Sequence, residues 1–183
     1  MKNYFKKSEF KGLPAAMLPL QSFLFDNLLN ILNIIRAEIG SPVVITSCAR
    51  DIKKYKDMKK RGLYPSPTSD HFWGLAVPCL EEKHKRIYGE YFTLSAGAVD
   101  IVTPRASVFQ SFKLIVKLSI GEMIGPGQVI YERRLKPTPA EWIHLSNPRD
   151  LIFQESFLNE IGAKKQPYLF SKDGGESYQI FKF

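Results

Sequence analysis

Between Gln21 and Ile39 the apolar residues Leu24, Leu28, Ile31, Leu32, Ile35 and Ile39 recur at helical spacing, with Asp26, Asn30, Asn33 and Arg36 between them. The pattern predicts an amphipathic helix that ends at Gly40, a residue suited to a C-cap. Val43 to Thr46 then reads as a β-branched strand, delivering Ser47 and Arg50 to one end of a sheet. Leu63 to Thr68, with two prolines, reads as a loop. Ala98 to Val102 is a second strand. Thr103-Pro104 reads as an N-cap followed by proline at the first helical position, and Val108, Phe112 and Ile115 supply the apolar stripe of the helix after it. Gly125-Pro126-Gly127 turns the chain into a strand from Gln128 to Glu132. Pro137 and Pro139 mark the loop before a last strand, Trp142 to Leu145.

Strands that alternate irregularly with two long helices, and hairpin-like connections in the second half, predict an α+β fold with a mainly antiparallel sheet. A chain of 183 residues with 44% hydrophobic and 13% aromatic residues can bury the core of one compact domain. Residues 149–183, with five phenylalanines and Gly174-Gly175, read as a C-terminal extension forming a helix and a short hairpin.

The formal net charge of +8 points to a negatively charged partner, and anionic wall polymers satisfy that as well as nucleic acid does. No zinc-finger pairing of cysteines or other nucleic-acid-binding signature is present, so nucleic acid is not the expected partner. Lys53, Lys54, Lys56, Lys59, Lys60 and Arg61 concentrate positive charge between Asp51 and Arg61, as a solvated face or a steering surface. Cys48 and Cys79 are too few for a disulfide framework and read as buried thiols. Met1 to Lys7 lacks the apolar run of a secretion signal, and no stretch reaches membrane-spanning length. The expectation is synthesis in a cytoplasm, with another agent needed for any delivery outside it.

Two of the three histidines stand in contexts that bear on chemistry. The segments are Ser69-Asp70-His71-Phe72-Trp73-Gly74, Gly97-Ala98-Val99-Asp100-Ile101 and Glu141-Trp142-Ile143-His144. A catalytic zinc takes three protein ligands of the His, Asp or Glu kind and keeps a fourth position for water, so His71, Asp100 and His144 form a sufficient set. Glu141, three residues before His144, is then a candidate base for that water. His84, among Glu81, Glu82, Lys83, Lys85 and Arg86, reads as part of a solvated loop tip and stands outside the set.

These segments, from about Tyr4 to about Ser146, resemble the zinc D-alanyl-D-alanine metallopeptidase family, which cuts the peptide part of bacterial cell walls and has a hedgehog-like fold. In that family Ser-x-His-x-x-Gly-x-Ala-x-Asp supplies two metal ligands, and a later Glu-x-x-His or Trp-x-His supplies the third. Ser69 and His71 match the first segment, and Trp142-Ile143-His144-Leu145-Ser146 matches the last. Tyr4 to Phe10 resembles the family's opening segment, and Pro42 to Arg50 a strand that ends there in Ser-Gly-Tyr-Arg, with Cys48-Ala49 replacing Gly-Tyr. The family's His-to-Asp spacing lands on Pro78, which cannot ligate a metal, so Leu75 to about Ala96 reads as an insertion and Asp100 as the ligand.

The resemblance implies Zn²⁺ on one face of the sheet, held by His71, Asp100 and His144. It implies Glu141 as general base, with a Gln-x-x-x-Glu strand ending at Glu132 as the other family arrangement. Arg50 would hold the scissile carbonyl oxygen or a substrate carboxylate, and Ser69 would contact substrate or orient the ligands. The implied activity is a carboxypeptidase or endopeptidase acting on peptidoglycan, of the kind used in phage lysis or carried on a virion. The alternative is a zinc-stabilised binding or structural protein on the same fold that cleaves nothing.

Overall fold

A computed structural model describes residues 2–63, 69–73, 77–78, 91–92, 95–136, 138–151 and 166–182. Cys79, His84, most of the segment read as an insertion and the stretch expected to hold a C-terminal helix lie outside these residues.

Helix α1 (Pro19–Ile39) begins with proline in its first turn and ends at Gly40 in the left-handed conformation, as its pattern predicts. Strand β1 (Val44–Ser47) follows, then helix α2 (Ile52–Lys60), capped by the Asp51 carboxylate, which accepts from the Lys54 amide at 2.7 Å. Two-residue strands β2 (Val77–Pro78) and β3 (Tyr91–Phe92) pair antiparallel in a small separate sheet. Strand β4 (Ala98–Val102) leads to helix α3 (Val108–Ile120). Strands β5 (Gln128–Arg134) and β6 (Ala140–Ser146) form a hairpin, and β7 (Tyr168–Ser171) and β8 (Gln179–Ile180) form another.

The start of α3 departs from expectation. Ser107, not Thr103, is its N-cap, accepting from the Gln110 amide, while the Thr103 hydroxyl bonds to the Ala106 carbonyl and the Ser111 hydroxyl. Pro104 therefore sits in a turn before the helix rather than in its first turn.

Among the described residues the main sheet has six strands in the order β1-β4-β6-β5-β7-β8. It is mixed rather than mainly antiparallel, because β7 lies parallel to β5. A parallel neighbour cannot be reached by a tight hairpin, and the long connection between Ser146 and Tyr168 makes the crossover.

Side-chain alternation gives the sheet two unlike faces. Val99 and Ile101 of β4, Val129 and Tyr131 of β5, and Ile143 and Leu145 of β6 join Leu24, Leu28, Leu32 and Ile35 of α1 and Phe112 and Ile115 of α3 in one core. Each fully buried Leu, Ile or Phe there contributes roughly 1.5–3 kcal/mol, so this face fixes the register of the sheet. The opposite face then presents Asp100, His144, Ile130 and Glu132.

Gly97, at the start of β4, takes φ +79°, and a Cβ there would lie 2.8 Å from the indole of Trp73. That indole is fully buried and donates to the Ala98 carbonyl at 3.1 Å, tying the segment after His71 to β4. Gly97→Ala is expected to destabilise the protein by roughly 2–4 kcal/mol, from overpacking plus positive-φ strain. Urea denaturation measures this, and stability within about 0.5 kcal/mol of wild type, the scatter of an ordinary surface change, would contradict the packing described.

Candidate metal centre

The β4–β6 ladder sets Asp100 directly across from His144, and β1 brings Ser47 opposite Asp100 on the other side. His71 arrives from outside the sheet. It lies in a 3₁₀ turn, Asp70–Phe72, whose N-cap Ser69 accepts from the His71 amide at 3.3 Å.

Three attachments hold that turn. The Arg50 amide donates to the His71 carbonyl at 2.8 Å, just beyond β1. Asp70, itself buried, takes the Arg149 guanidinium at 3.2 Å and the Ala96 amide at 3.1 Å. Tyr55, the buried residue of α2, packs on Phe72 with ring centroids 6.4 Å apart. Asn147 completes the frame, donating to the carbonyls of Leu24 and Ala96 at 2.8 Å each.

The result is a near-equilateral triangle of donor atoms. His71 Nε2 lies 3.2 Å from Asp100 Oδ1 and 3.2 Å from His144 Nδ1, and His144 Nδ1 lies 3.1 Å from Asp100 Oδ1. A tetrahedral ion bonded at about 2.0–2.1 Å to each of three ligands sets them about 3.3 Å apart, so the triangle has the edge such an ion requires. His71 Nδ1 lies 2.5 Å from the Cys48 carbonyl, which can only accept, so Nδ1 carries the hydrogen and donates it. That contact fixes the tautomer and leaves the Nε2 lone pair facing the triangle.

Both histidines are buried, and Asp100 keeps a partly open side chain. Burial pushes the Asp100 carboxyl up, but His71 and His144 together outweigh it and hold the group well below the usual carboxylate range. The residues predicted as ligands are thus brought together, and the group could bind a metal ion.

Ser69 and Arg50 adjoin the triangle. Arg50 is buried, its Nη1 donates to Ser69 Oγ at 3.3 Å, and its Nε finds no acceptor among the described residues. Burial lowers the Arg50 pKa, opposed by the negative charges of Asp100 and Glu132. Cys48 contributes its carbonyl rather than its sulfur, for burial pushes the thiol up to about 12.

The expectation that Glu141 stands beside the ligands is corrected by the structure. Three residues before His144 on a strand, Glu141 falls on the opposite face, where it pairs with Arg133 at 3.4 Å with both side chains exposed. Glu132 occupies the position instead. It pairs across from Trp142 while Ile130 pairs with His144, so Glu132 shares the triangle's face. It is buried, and that burial, reinforced by the charge of Asp100 and opposed by His144 and Arg50, lifts it from an ordinary 4.5 to about 7. The period-two alternation of strands carried the signal, since Glu141 and His144 have opposite parity. Asp70, Asn147 and Arg149, missed in the sequence, are polar residues whose burial no local pattern announces.

Two outcomes follow from this geometry. Protein equilibrated with a divalent metal and desalted should retain about one ion per chain by elemental analysis, the capacity of one three-ligand site. His71→Ala and His144→Ala should each lose most of it, and full retention in both would exclude the site. In metal-free protein, Glu132 favours folding most below pH 4.5, where it is neutral folded and unfolded, and that contribution is lost as pH rises to about 7. Glu132→Gln should therefore gain stability over wild type across this window, levelling at on the order of 2–3 kcal/mol above it. A difference that does not vary with pH, measured by chemical denaturation, would contradict the burial of an ionisable group there.

No protein-family model, curated protein or solved structure matches the chain, so the reading of this centre rests on its own residues.

Proposed function

We propose that the chain is a zinc peptidase that cleaves the peptide part of bacterial peptidoglycan. The observation that carries the reading is the triangle of His71, Asp100 and His144 with the Glu132 carboxylate buried on the same face. Two imidazoles and one carboxylate suit zinc, and three protein ligands leave a position free, the pattern of catalytic rather than structural sites.

Zinc held there would polarise a scissile carbonyl and make an adjacent water acidic near neutral pH. Glu132 accepts a proton from the attacking water and returns it to the leaving amine. Its burial raises its affinity for a proton, which suits a group that takes a proton and gives it back. Arg50 has a buried donor, Nε, without a partner among the described residues, and a buried donor is costly unless something accepts from it. A substrate carbonyl oxygen carrying developing negative charge, or a substrate carboxylate, would be that acceptor. Ser69 holds the guanidinium in place through Nη1.

Peptidoglycan as substrate is supported by the resemblance of the three ligand segments to wall peptidases and by the net charge of +8, which suits anionic walls. The exposed lysines of α2 place part of that charge from three residues beyond Arg50. A role in phage lysis or as a virion component rests on the same resemblance.

Purified walls incubated with zinc-loaded protein should release peptide fragments whose masses identify the bond cut. Glu132→Gln should retain zinc and lower hydrolysis by at least the ~10²-fold typical of losing a general base, whereas Glu141→Gln should cost little. Zinc retention with no cleavage by the wild type would favour the non-catalytic alternative. Loss of activity in Glu141→Gln alone would overturn the roles assigned here.

A further inference from the structure

The second hairpin lies beyond the stretch that resembles wall peptidases, yet it reaches Glu132. Strand β7 runs parallel to β5 with Ser171 in register with Glu132, so the loop after Ser171 opens at that carboxylate. The loop is built to hold one shape. The Ser171 hydroxyl donates to Asp173 at 2.6 Å and accepts from the Gly175 amide at 2.9 Å. Asp173 also accepts from the amides of Glu176 at 3.1 Å and Ser177 at 3.0 Å, and the Gly174 amide donates to the Arg133 carbonyl of β5 at 3.0 Å.

This brings the next residue, Tyr178, to the site. At Gly175, whose φ is +94°, an added Cβ would lie 2.8 Å from the Tyr178 hydroxyl and 3.3 Å from Glu132 Oε2. Glycine is thus required where the loop, the phenol and the carboxylate converge. Tyr178 leaves 46% of its surface in solvent, so packing does not explain the placement of its hydroxyl. Electrostatics agree: burial and the charge of Glu132 push the phenol up, and the phenol's hydrogen bond acts to lower Glu132.

We propose that Tyr178 is a positioning residue of this centre, its hydroxyl donating to the Glu132 carboxylate and orienting it on the face of the His71, Asp100 and His144 triangle. The inference rests on the reading of Glu132 as the base. The β7–β8 hairpin is then a wall of the site rather than an appendage.

The test uses full-length zinc-loaded protein and soluble muropeptides. Tyr178→Phe should keep zinc and stay folded, its melting temperature lower by only about 2–4 °C, but lose about tenfold or more in kcat, the scale of one hydrogen bond to a charged group, with KM within about twofold. The loss should vanish in a Glu132→Gln background, where there is no base to orient. Gly175→Ala, which displaces the phenol without removing it, should show the same split. A second readout needs no activity. A double-mutant cycle of Tyr178→Phe and Glu132→Ala in unfolding at pH 8 should show coupling on the order of fivefold in the equilibrium constant. Additive effects, an unchanged kcat, or a raised KM with kcat preserved would each overturn the proposal. If the wild type cleaves no muropeptide, the proposed function fails by itself, and the cycle still decides whether Tyr178 holds Glu132.

Discussion

The pairing of β4 with β6 is the constraint on which the centre depends. Asp100 faces His144 only because Val99 and Ile101 on one strand, and Ile143 and Leu145 on the other, are committed to the core. A slip of one residue would turn Asp100 or His144 inward and an aliphatic side chain outward, so the hydrophobic register is also the register of the candidate ligands. His71 is the one candidate ligand the sheet does not place. It is fixed by the Cys48 carbonyl at its ring and by Arg50 and Ser69 at its backbone.

Electrostatics make part of the same arrangement costly. Two imidazole nitrogens and a carboxylate oxygen converge within 3.2 Å, and Glu132 is buried on the same face with its pKa raised to about 7. Arg50 offsets part of that negative charge but leaves its Nε without a partner among the described residues. The helices and the opposite face of the sheet hold this constellation in place, and a carboxyl with a raised pKa beside converging polar groups is of the kind found at functional sites.

Much of this was legible in the sequence. Helical spacing from Gln21 to Ile39 gave α1 and its end at Gly40, and the ligand contexts named the three residues that meet. Strand parity could have distinguished Glu132 from Glu141, because residues three apart on a strand cannot share a face. The parallel placement of β7 could not be read, since nothing local in Tyr168–Ser171 states which edge the strand will join. The same non-local step brings Tyr178 to Glu132. Thr103-Pro104 misled because its helix-start signature is used in a turn and the cap falls to Ser107.

X-ray absorption at the zinc edge tests the central claim most directly, because it reports which atoms surround the metal rather than what the protein does. Protein loaded with one equivalent of zinc should show two imidazoles and otherwise oxygen ligands at about 2.0–2.1 Å, with no sulfur. A sulfur shell near 2.3 Å, or scattering from fewer than two imidazoles, would mean that His71, Asp100 and His144 are not the metal site.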